Sequence, residues 1–188
     1  MVDQNIRAFL GIDFTEEVKD EIHELQQNLK GYALKGRWKG RDNFHLTLKF
    51  LAQISFAQKA QIDESLQSLC RKEKPFNLEL KGLGVFGGKE SCRVLWLGLA
   101  GDMQDLRSLH KKVDQVLTPL GFPPERRPFS PHITLGQDIV FAGGFEEIQA
   151  EVGGFEFTPT HVERIHLFKS EQVQYKRIYT RLADYFLG

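Results

Sequence analysis

His45-Leu46-Thr47-Leu48 and His132-Ile133-Thr134-Leu135 are two four-residue stretches of nearly the same sequence. In a β-strand successive side chains point to opposite faces, so each stretch places its histidine and threonine on one face and its aliphatic residues on the other. We therefore predict two strands, each buried on one side and carrying an imidazole and a hydroxyl on the other. Two such strands facing one cleft would supply a base, an acid and two hydroxyl donors, a set suited to in-line displacement at phosphorus without a metal.

The recurrence of the motif is what points to function. One histidine and one threonine on an exposed strand face would carry little information. Two of the six histidines, however, fall in the same frame, and each is followed by threonine and then leucine. Among the others, His166 lies in a predicted strand and either lines the cleft or has a surface role. The remaining three are interpreted as solvent-exposed or turn residues: His23, His110 and His161.

Other catalytic chemistries have little support in the sequence. No HExxH or paired Cys-His spacing is present, so we expect no metal site and no cofactor. The G-x-S-x-G elbow of serine hydrolases is also absent. The segment Gly82-Leu83-Gly84-Val85-Phe86-Gly87 resembles a phosphate-binding loop only loosely, because no Lys-Ser/Thr follows it. Its glycines are more typical of turns and bulges.

Composition limits the partners and the compartment. The formal net charge of the 188 residues is zero, whereas proteins that bind an extended nucleic-acid duplex are normally basic. Binding to a terminus or a small phosphate ester needs only a few local cations. Cys70 and Cys92 have no disulfide or zinc spacing and indicate free thiols in a reducing compartment. The apolar run at residues 8–12 is too short for a signal peptide or membrane span, so we expect a cytoplasmic protein.

Hydrophobic periodicity predicts alternating strands and helices. Thr15 and the capping box Ser55-Phe56-Ala57-Gln58 mark two helix starts, and Gly31 closes the first helix. Gly87-Gly88-Lys89-Glu90 is a hairpin signal. Besides the second His-x-Thr stretch, strands are predicted at residues 6–14, 44–51, 76–86, 92–99, 162–168 and 175–182, and a third helix at 102–120.

This order of elements predicts an α+β fold. The two motifs lie near the middle of each half of the chain, and each follows an extended, basic approach segment, which suggests an internal duplication. Two α+β lobes around a central cleft would result. No linker-like stretch divides the chain, so we expect residues 1–188 to form a single domain of two intertwined lobes, and we expect a monomer.

Basic residues near the motifs are candidate phosphate contacts, although solvated loop charge is an equally good interpretation of such clusters. Lys49 shares the alternation of His45 and Thr47 and is therefore predicted to face the mouth of the cleft. The basic residues that precede the motifs are Lys35, Arg37, Lys39 and Arg41 before the first, and Arg126 and Arg127 before the second.

The motifs and their flanks resemble those of the two-histidine (2H) phosphoesterases. The segments that carry the resemblance are Arg37-Trp38, Asn43-Phe44-His45-Leu46-Thr47-Leu48-Lys49-Phe50-Leu51 and Phe129-Ser130-Pro131-His132-Ile133-Thr134-Leu135. Within that superfamily the chain is most similar to the RNA 2',3'-cyclic phosphodiesterases, also called 2'-5' RNA ligases. The likeness extends over nearly the whole chain, and the paired motifs are highly specific.

The resemblance implies a fold of two pseudo-symmetric lobes of antiparallel sheet, with outer helices around a central cleft. It also implies metal-independent hydrolysis of an RNA or nucleoside 2',3'-cyclic phosphate to the 2'-phosphate. By position, His45 corresponds to the proton donor and His132 to the proton acceptor. Thr47 and Thr134 correspond to the residues that hold the non-bridging phosphate oxygens.

One departure from the family pattern concerns Gln137. Relatives often carry a phosphate-binding arginine there, so in this chain the contact would come from elsewhere, with Arg126, Arg127 and Lys49 as candidates. Stacking on the nucleotide base is expected from one or more of three aromatic residues: Trp38, Phe168 and Tyr175.

Two alternatives stay open at this stage. One is a 2H enzyme that acts on another ester, such as a 2'-5' linked oligonucleotide or ADP-ribose cyclic phosphate, and the loss of the arginine favours keeping it. The other is a non-catalytic module that binds RNA ends or nucleotides, against which the presence of both histidines argues. The expected partners are RNA ends or small cyclic-phosphate nucleotides, without membrane or extended duplex binding.

Overall fold

Nine β-strands and four α-helices form the fold in the computed structural model, which describes residues 5–87 and 92–188. The strands are β1 (Ile6–Asp13), β2 (Ala33–Trp38), β3 (His45–Ile54), β4 (Phe76–Gly87), β5 (Cys92–Gly101), β6 (Ile133–Phe141), β7 (Thr160–Val162), β8 (Arg164–Val173) and β9 (Lys176–Phe186). The helices are α1 (Glu16–Lys30), α2 (Phe56–Cys70), α3 (Met103–Leu117) and α4 (Phe145–Val152). The sequence patterns predicted most of these elements but missed β2, β7 and α4, which are short or largely exposed.

The predicted helix starts are confirmed by their capping hydrogen bonds. The Thr15 hydroxyl accepts from the Val18 N–H at 3.3 Å and begins α1. At α2 the Ser55 hydroxyl accepts from the Gln58 N–H, and the Gln58 side chain accepts in return from the Ser55 N–H at 3.0 Å. These bonds satisfy N–H groups that have no partner inside the helix.

The predicted end of the third helix needs correction, and the predicted hairpin turn lies outside the described residues. The third helix ends at Leu117 rather than at residue 120, and Thr118–Leu120 continues as a 3-10 turn that contains Pro119. Proline lacks the N–H that an α-helix would use, which accounts for the earlier end. The hairpin signal beginning at Gly87 falls between β4 and β5, which do pair antiparallel, but residues 88–91 lie outside the described residues.

The strands form one antiparallel sheet whose order is β7-β4-β5-β6-β3-β1-β8-β9, with β2 alongside β6. β3 and β6 are its centre, and they pair at one position only, Leu46 with Ile133. Both side chains are fully buried. The two halves of the sheet are therefore joined at the middle of the two His-x-Thr motifs.

Each motif is followed by a β-bulge at the equivalent residue. In β3 the register with β1 skips Leu48, because Gly11 pairs with Thr47 and Leu10 pairs with Lys49. In β6 the register with β5 skips Leu135 in the same way. A bulge adds a residue to one strand and re-aims the side chains that follow it. The two motifs therefore share a backbone geometry, as an internal duplication would produce.

The helices share a core with the aliphatic side of the motif strands. Leu46, Leu48, Ile133 and Leu135 belong to one buried cluster that includes side chains of all four helices, namely Ile22, Leu66, Leu109 and Ile148. The histidines and threonines therefore lie on the opposite face of the sheet. This arrangement confirms the predicted α+β class with pseudo-symmetric antiparallel halves, outer helices and a central cleft. None of the helices in the described part of the chain is long and apolar enough to span a membrane.

The prediction that Lys49 faces the cleft mouth is wrong. The bulge at Leu48 reverses the alternation, so Lys49 points into the core, where it is 2% exposed. Its ammonium group forms an ion pair with Asp114 of α3 and donates to the carbonyl of Pro123 at 2.9 Å. The position on the cleft face that Lys49 was expected to occupy belongs instead to Phe50, which is 65% exposed.

Replacing Lys49 by Met should therefore affect stability rather than catalysis. It would leave the Asp114 carboxylate buried without its partner, which typically costs about 3–5 kcal/mol. The measurement is the free energy of unfolding in urea, together with activity per folded molecule. Lys169→Met is the control, because its ion pair with Glu171 is partly exposed and such pairs contribute about 1 kcal/mol or less. A loss of activity at unchanged stability would return Lys49 to the list of substrate contacts.

Candidate active site

The two His-x-Thr motifs meet across the junction of β3 and β6. Because Leu46 pairs antiparallel with Ile133, His45 lies opposite Thr134, and Thr47 lies opposite His132. A local two-fold relation therefore brings both imidazoles and both hydroxyls to one place on the cleft face. His132 is also close enough for its charge to affect the pKa of His45.

Both imidazoles are fixed by the same backbone contact. Nδ1 of His45 lies 2.8 Å from the carbonyl oxygen of Asn43, and Nδ1 of His132 lies 2.7 Å from that of Ser130. A carbonyl oxygen only accepts, so Nδ1 must carry the hydrogen in each ring. Nε2 is then the nitrogen available for chemistry, as a base when the ring is neutral and as an acid when it is charged.

The two Nε2 atoms differ in their partners. His45 Nε2 lies 3.0 Å from the Thr47 hydroxyl, which donates to it while the ring is neutral. His132 Nε2 has no hydrogen-bond partner within the described ranges. Of the two rings, His132 is thus the one whose reactive nitrogen is not engaged by another protein group in those ranges.

Aromatic side chains surround both histidines. Around His45, the Phe9 ring centroid lies at 4.7 Å and that of Tyr179 lies edge-on at 5.0 Å. Around His132, Phe86 lies edge-on at 5.1 Å and Trp96 at 6.3 Å. These rings limit the movement of the imidazoles and exclude water from their sides, which strengthens electrostatic interactions in the cleft.

Charged residues are found beside His45. Asp13 is opposite His45 in the β1–β3 register, and it forms ion pairs with Lys19 and Arg181. Burial acts to raise the pKa of Asp13, but the two cations outweigh it and hold that pKa below its usual range. The carboxylate therefore stays ionised next to the site.

The pKa of His45 is lowered to about 4, chiefly by burial. The Asn43 carbonyl and Asp13 oppose this shift, whereas the positive charge of Lys39, and that of His132 whenever its ring is protonated, add to it. In the unliganded protein at neutral pH the His45 ring is therefore uncharged.

His166 is not a surface residue. It is buried on β8, and its Nδ1 lies 2.6 Å from a carboxylate oxygen of Asp184 on β9. It pairs in register with Gly11, which itself pairs with Thr47, so it lies on the cleft side of β1 but two strands from the motif. Its imidazole thus has a hydrogen-bond partner of its own, Asp184, outside the two motifs.

The three aromatic residues expected to stack on a base lie in different environments. Phe168 is buried and stacks on Phe9 at 5.0 Å, with its centroid 6.2 Å from His45. Trp38 packs against the core at the end of β2, and Lys30 lies over its ring at 5.7 Å. Tyr175 is fully exposed in the turn between β8 and β9. Of the three, only Phe168 is brought next to a motif histidine in the described residues.

The expected cations are likewise dispersed. Arg126 and Arg127 are exposed in the loop that leads to His132. Gln137, where the family resemblance predicted an arginine, is exposed on β6 opposite Arg37. The Arg37 guanidinium is paired with Asp138 at 2.5 Å.

Sequence reasoning missed Lys39 and Tyr179 as individual site residues. The Lys39 ammonium group donates to the Tyr179 hydroxyl at 2.8 Å, beside His45. Lys39 belongs to the basic approach segment noted in the sequence, so a signal existed, although it did not single out this lysine. No sequence pattern marks Tyr179, because its place depends on the pairing of β8 and β9.

Fold and site together define a two-histidine phosphoesterase. The family model for LigT-like phosphoesterases matches residues 12–96 and again residues 97–179, and each match contains one His-x-Thr motif. The chain belongs to the LigT-like phosphoesterase family.

Curated relatives align over most of the chain. It is 31% identical over 185 residues to the RNA 2',3'-cyclic phosphodiesterase of Aquifex aeolicus, covering 97% of this chain and 98% of the relative. It is 36% identical over 146 residues to the protein of the same name from Aeropyrum pernix, covering 76% and 81%. Among solved structures, E. coli LigT complexed with 3'-AMP has a TM-score of 0.81 and 26% identity, covering 98% and 99%.

The tautomers and the charge state of the histidines can be measured by side-chain ¹⁵N NMR. We expect both His45 and His132 to carry the Nδ1 hydrogen at neutral pH, because each Nδ1 faces a carbonyl. We also expect His45 to titrate near pH 4, because burial penalises its charged form. His45→Gln and His132→Gln spectra would assign the signals. An Nε2–H tautomer on either ring, or a His45 pKa above 6.5, would contradict the site geometry described here.

Proposed function

We propose that this enzyme hydrolyses a 2',3'-cyclic phosphate, at an RNA end or on a nucleotide, to the 2'-phosphate without a metal ion. The observation that carries the proposal is the meeting of the two His-x-Thr motifs across the Leu46–Ile133 pair. The names of the relatives, RNA 2',3'-cyclic phosphodiesterases, support the same substrate class. No group of three potential metal-ligating residues lies together in residues 5–87 and 92–188.

The reaction requires one proton to be taken and one to be given. Nε2 of neutral His132 takes a proton from a water molecule while the water oxygen forms a bond to phosphorus. The bond between phosphorus and the 3' oxygen breaks, and that oxygen receives a proton from Nε2 of charged His45. The products are a 2'-phosphate and a 3'-hydroxyl, and the two rings have exchanged their protonation states.

The threonine hydroxyls serve the equatorial oxygens of the phosphate. Each hydroxyl lies opposite the histidine of the other motif. One hydroxyl donor is therefore on the side of the attacking oxygen and the other on the side of the leaving oxygen. Hydrogen bonds of this kind are most effective when they strengthen as negative charge develops in the transition state.

His45 acts as an acid only after the substrate binds, because its ring is uncharged in the unliganded protein. A phosphate anion about 4 Å from the ring, at an effective dielectric constant near 20, would stabilise the imidazolium by about 4 kcal/mol. That energy is enough to bring the pKa of His45 close to neutrality. On protonation, the Thr47 hydroxyl would turn away from Nε2 and towards a phosphate oxygen.

We further propose that the chain acts as one domain and as a monomer. The site draws His45 from a strand near the start of the chain and His132 from the middle, while β8 and β9 at its end supply the wall beside His45. Neither half of the sheet holds an acid and a base alone. Hydrolysis of another ester is the second candidate, and Gln137 is the residue that favours keeping it.

The first test is activity towards adenosine 2',3'-cyclic phosphate and an oligonucleotide that ends in a cyclic phosphate, in the presence of EDTA. The wild type should release the 2'-phosphate isomer. His45→Ala and His132→Ala should each lower the rate by roughly 10²–10⁴, and the double variant should lose less than the product of the two. His23→Ala, on α1 and away from both motifs, is the control. Loss of turnover in EDTA that a divalent ion restores, or activity only on other esters, would refute the proposal.

The division of labour between the histidines is tested with a nitrophenyl phosphodiester, whose leaving group needs no proton. This substrate should partly rescue His45→Ala but not His132→Ala, because only the acid becomes dispensable. In the wild type with the cyclic substrate, the His45 limb of the pH profile should lie higher in kcat than in kcat/KM, because the bound anion raises its pKa. The reverse pattern of rescue would exchange the two roles.

A further inference from the structure

Lys39 places a positive charge in the cleft next to His45. Its backbone N–H donates to the carbonyl of Leu135 at 2.9 Å, which anchors the residue beside the second motif. Its side chain crosses to β9, where the ammonium nitrogen lies 2.8 Å from the Tyr179 hydroxyl and 5.0 Å from the centre of that ring. The Tyr179 ring in turn stands edge-on to His45.

Lys39 differs from Lys19, Lys49 and Arg181, because it has no carboxylate partner. Arg181 and Lys19 are both paired with Asp13, and Lys49 is paired with Asp114. In the described part of the chain, Lys39 forms no ion pair, and it is only partly exposed. A half-buried ammonium group without a carboxylate is unfavourable by itself, so an anion from outside the protein would complete its environment.

The geometry also leaves hydrogen-bond donors free. An ammonium group has three N–H donors, and Tyr179 uses one of them. Because the Tyr179 hydroxyl accepts from Lys39, its own hydrogen remains available to another acceptor. Two N–H groups and one O–H group are thus available together on the His45 side of the cleft, where the oxygens of one phosphate group could accept all three.

We propose that Lys39 and Tyr179 form the phosphate-oxygen binding site of this enzyme, holding the non-bridging oxygens of the reacting phosphate beside His45. The inference rests on the proposed phosphodiesterase function and extends it by assigning the cation. It also accounts for how the cleft attracts an anion although Gln137 is uncharged and Arg37 is paired with Asp138. The arrangement is one-sided, because no equivalent lysine contacts the aromatic rings around His132 in the described residues.

The test compares Lys39→Met, Lys39→Arg and Tyr179→Phe with Lys111→Met, a control at an exposed lysine of the outer helix α3. Lys39→Met should lower kcat/KM for the cyclic nucleotide by about 10–100-fold, with a matching loss of affinity for inorganic phosphate as a competitive inhibitor. Tyr179→Phe should have a smaller effect in the same direction, and Lys39→Arg should restore part of the activity. Lys111→Met should behave as the wild type.

A pH profile separates this role from a merely structural one. The charged and titratable groups that face His45 are Asp13 from β1, His132 beside β6, Tyr179 from β9 and Lys39 itself. The charge of Lys39 lowers the pKa of His45, so Lys39→Met should move the His45 limb of kcat/KM to higher pH. Lys39→Arg keeps the charge and should leave that limb in place.

The outcomes distinguish the inference from the function on which it rests. An inactive wild type would overturn the phosphodiesterase proposal itself. An active wild type with Lys39→Met equal to Lys111→Met in kcat/KM, phosphate inhibition and pH profile would overturn the role of Lys39 alone. A loss of activity explained entirely by a lower melting temperature, with phosphate affinity unchanged in the folded fraction, would also overturn it.

Discussion

The geometry of the cleft depends on one antiparallel contact, the pairing of Leu46 on β3 with Ile133 on β6. Both side chains are buried among helix residues, and their position in the core fixes the register and orientation of both strands. Because side chains alternate along a strand, burial of these two residues turns His45, Thr47, His132 and Thr134 to the other face. A shift of the pairing by one residue would reverse every one of them, so the packing of two aliphatic side chains specifies the reactive groups.

The backbone of the site is symmetric, but its electrostatics are not. Both motifs have a bulge at the following leucine and an imidazole held by the carbonyl two residues earlier. His45, however, lies beside Asp13 and near Lys39, whereas His132 lies between Phe86 and Trp96. Equal geometry with unequal surroundings gives the two rings different roles, acid and base, in the proposed reaction.

Burial and charge at His45 act together. The surrounding rings and the positive charge of Lys39 keep the imidazole neutral in the unliganded protein. A bound phosphate anion would neutralise Lys39 and favour the imidazolium of His45 at the same time, so substrate binding itself would lead to protonation of the acid. In this scheme the unpaired charge of Lys39 has two consequences: it draws the anion into the cleft, and it restrains His45 from taking up a proton before the anion arrives.

The amino-acid sequence by itself determined seven of the nine described strands, three of the four described helices, the caps of α1 and α2, and the identity of the four motif residues, because alternation and capping depend on neighbours within a few positions. It also indicated the internal duplication, since each half of the chain has its own His-x-Thr motif. Only the tertiary structure decided that Lys49 points into the core, that Phe50 takes its place on the cleft face, and that Lys39 and Tyr179 stand beside His45. A bulge arises from the fit between two strands, and a charge is free or paired according to residues far away in the chain, as with Lys49 and Asp114. Local spacing does not encode such contacts, because they form only when distant segments are brought together.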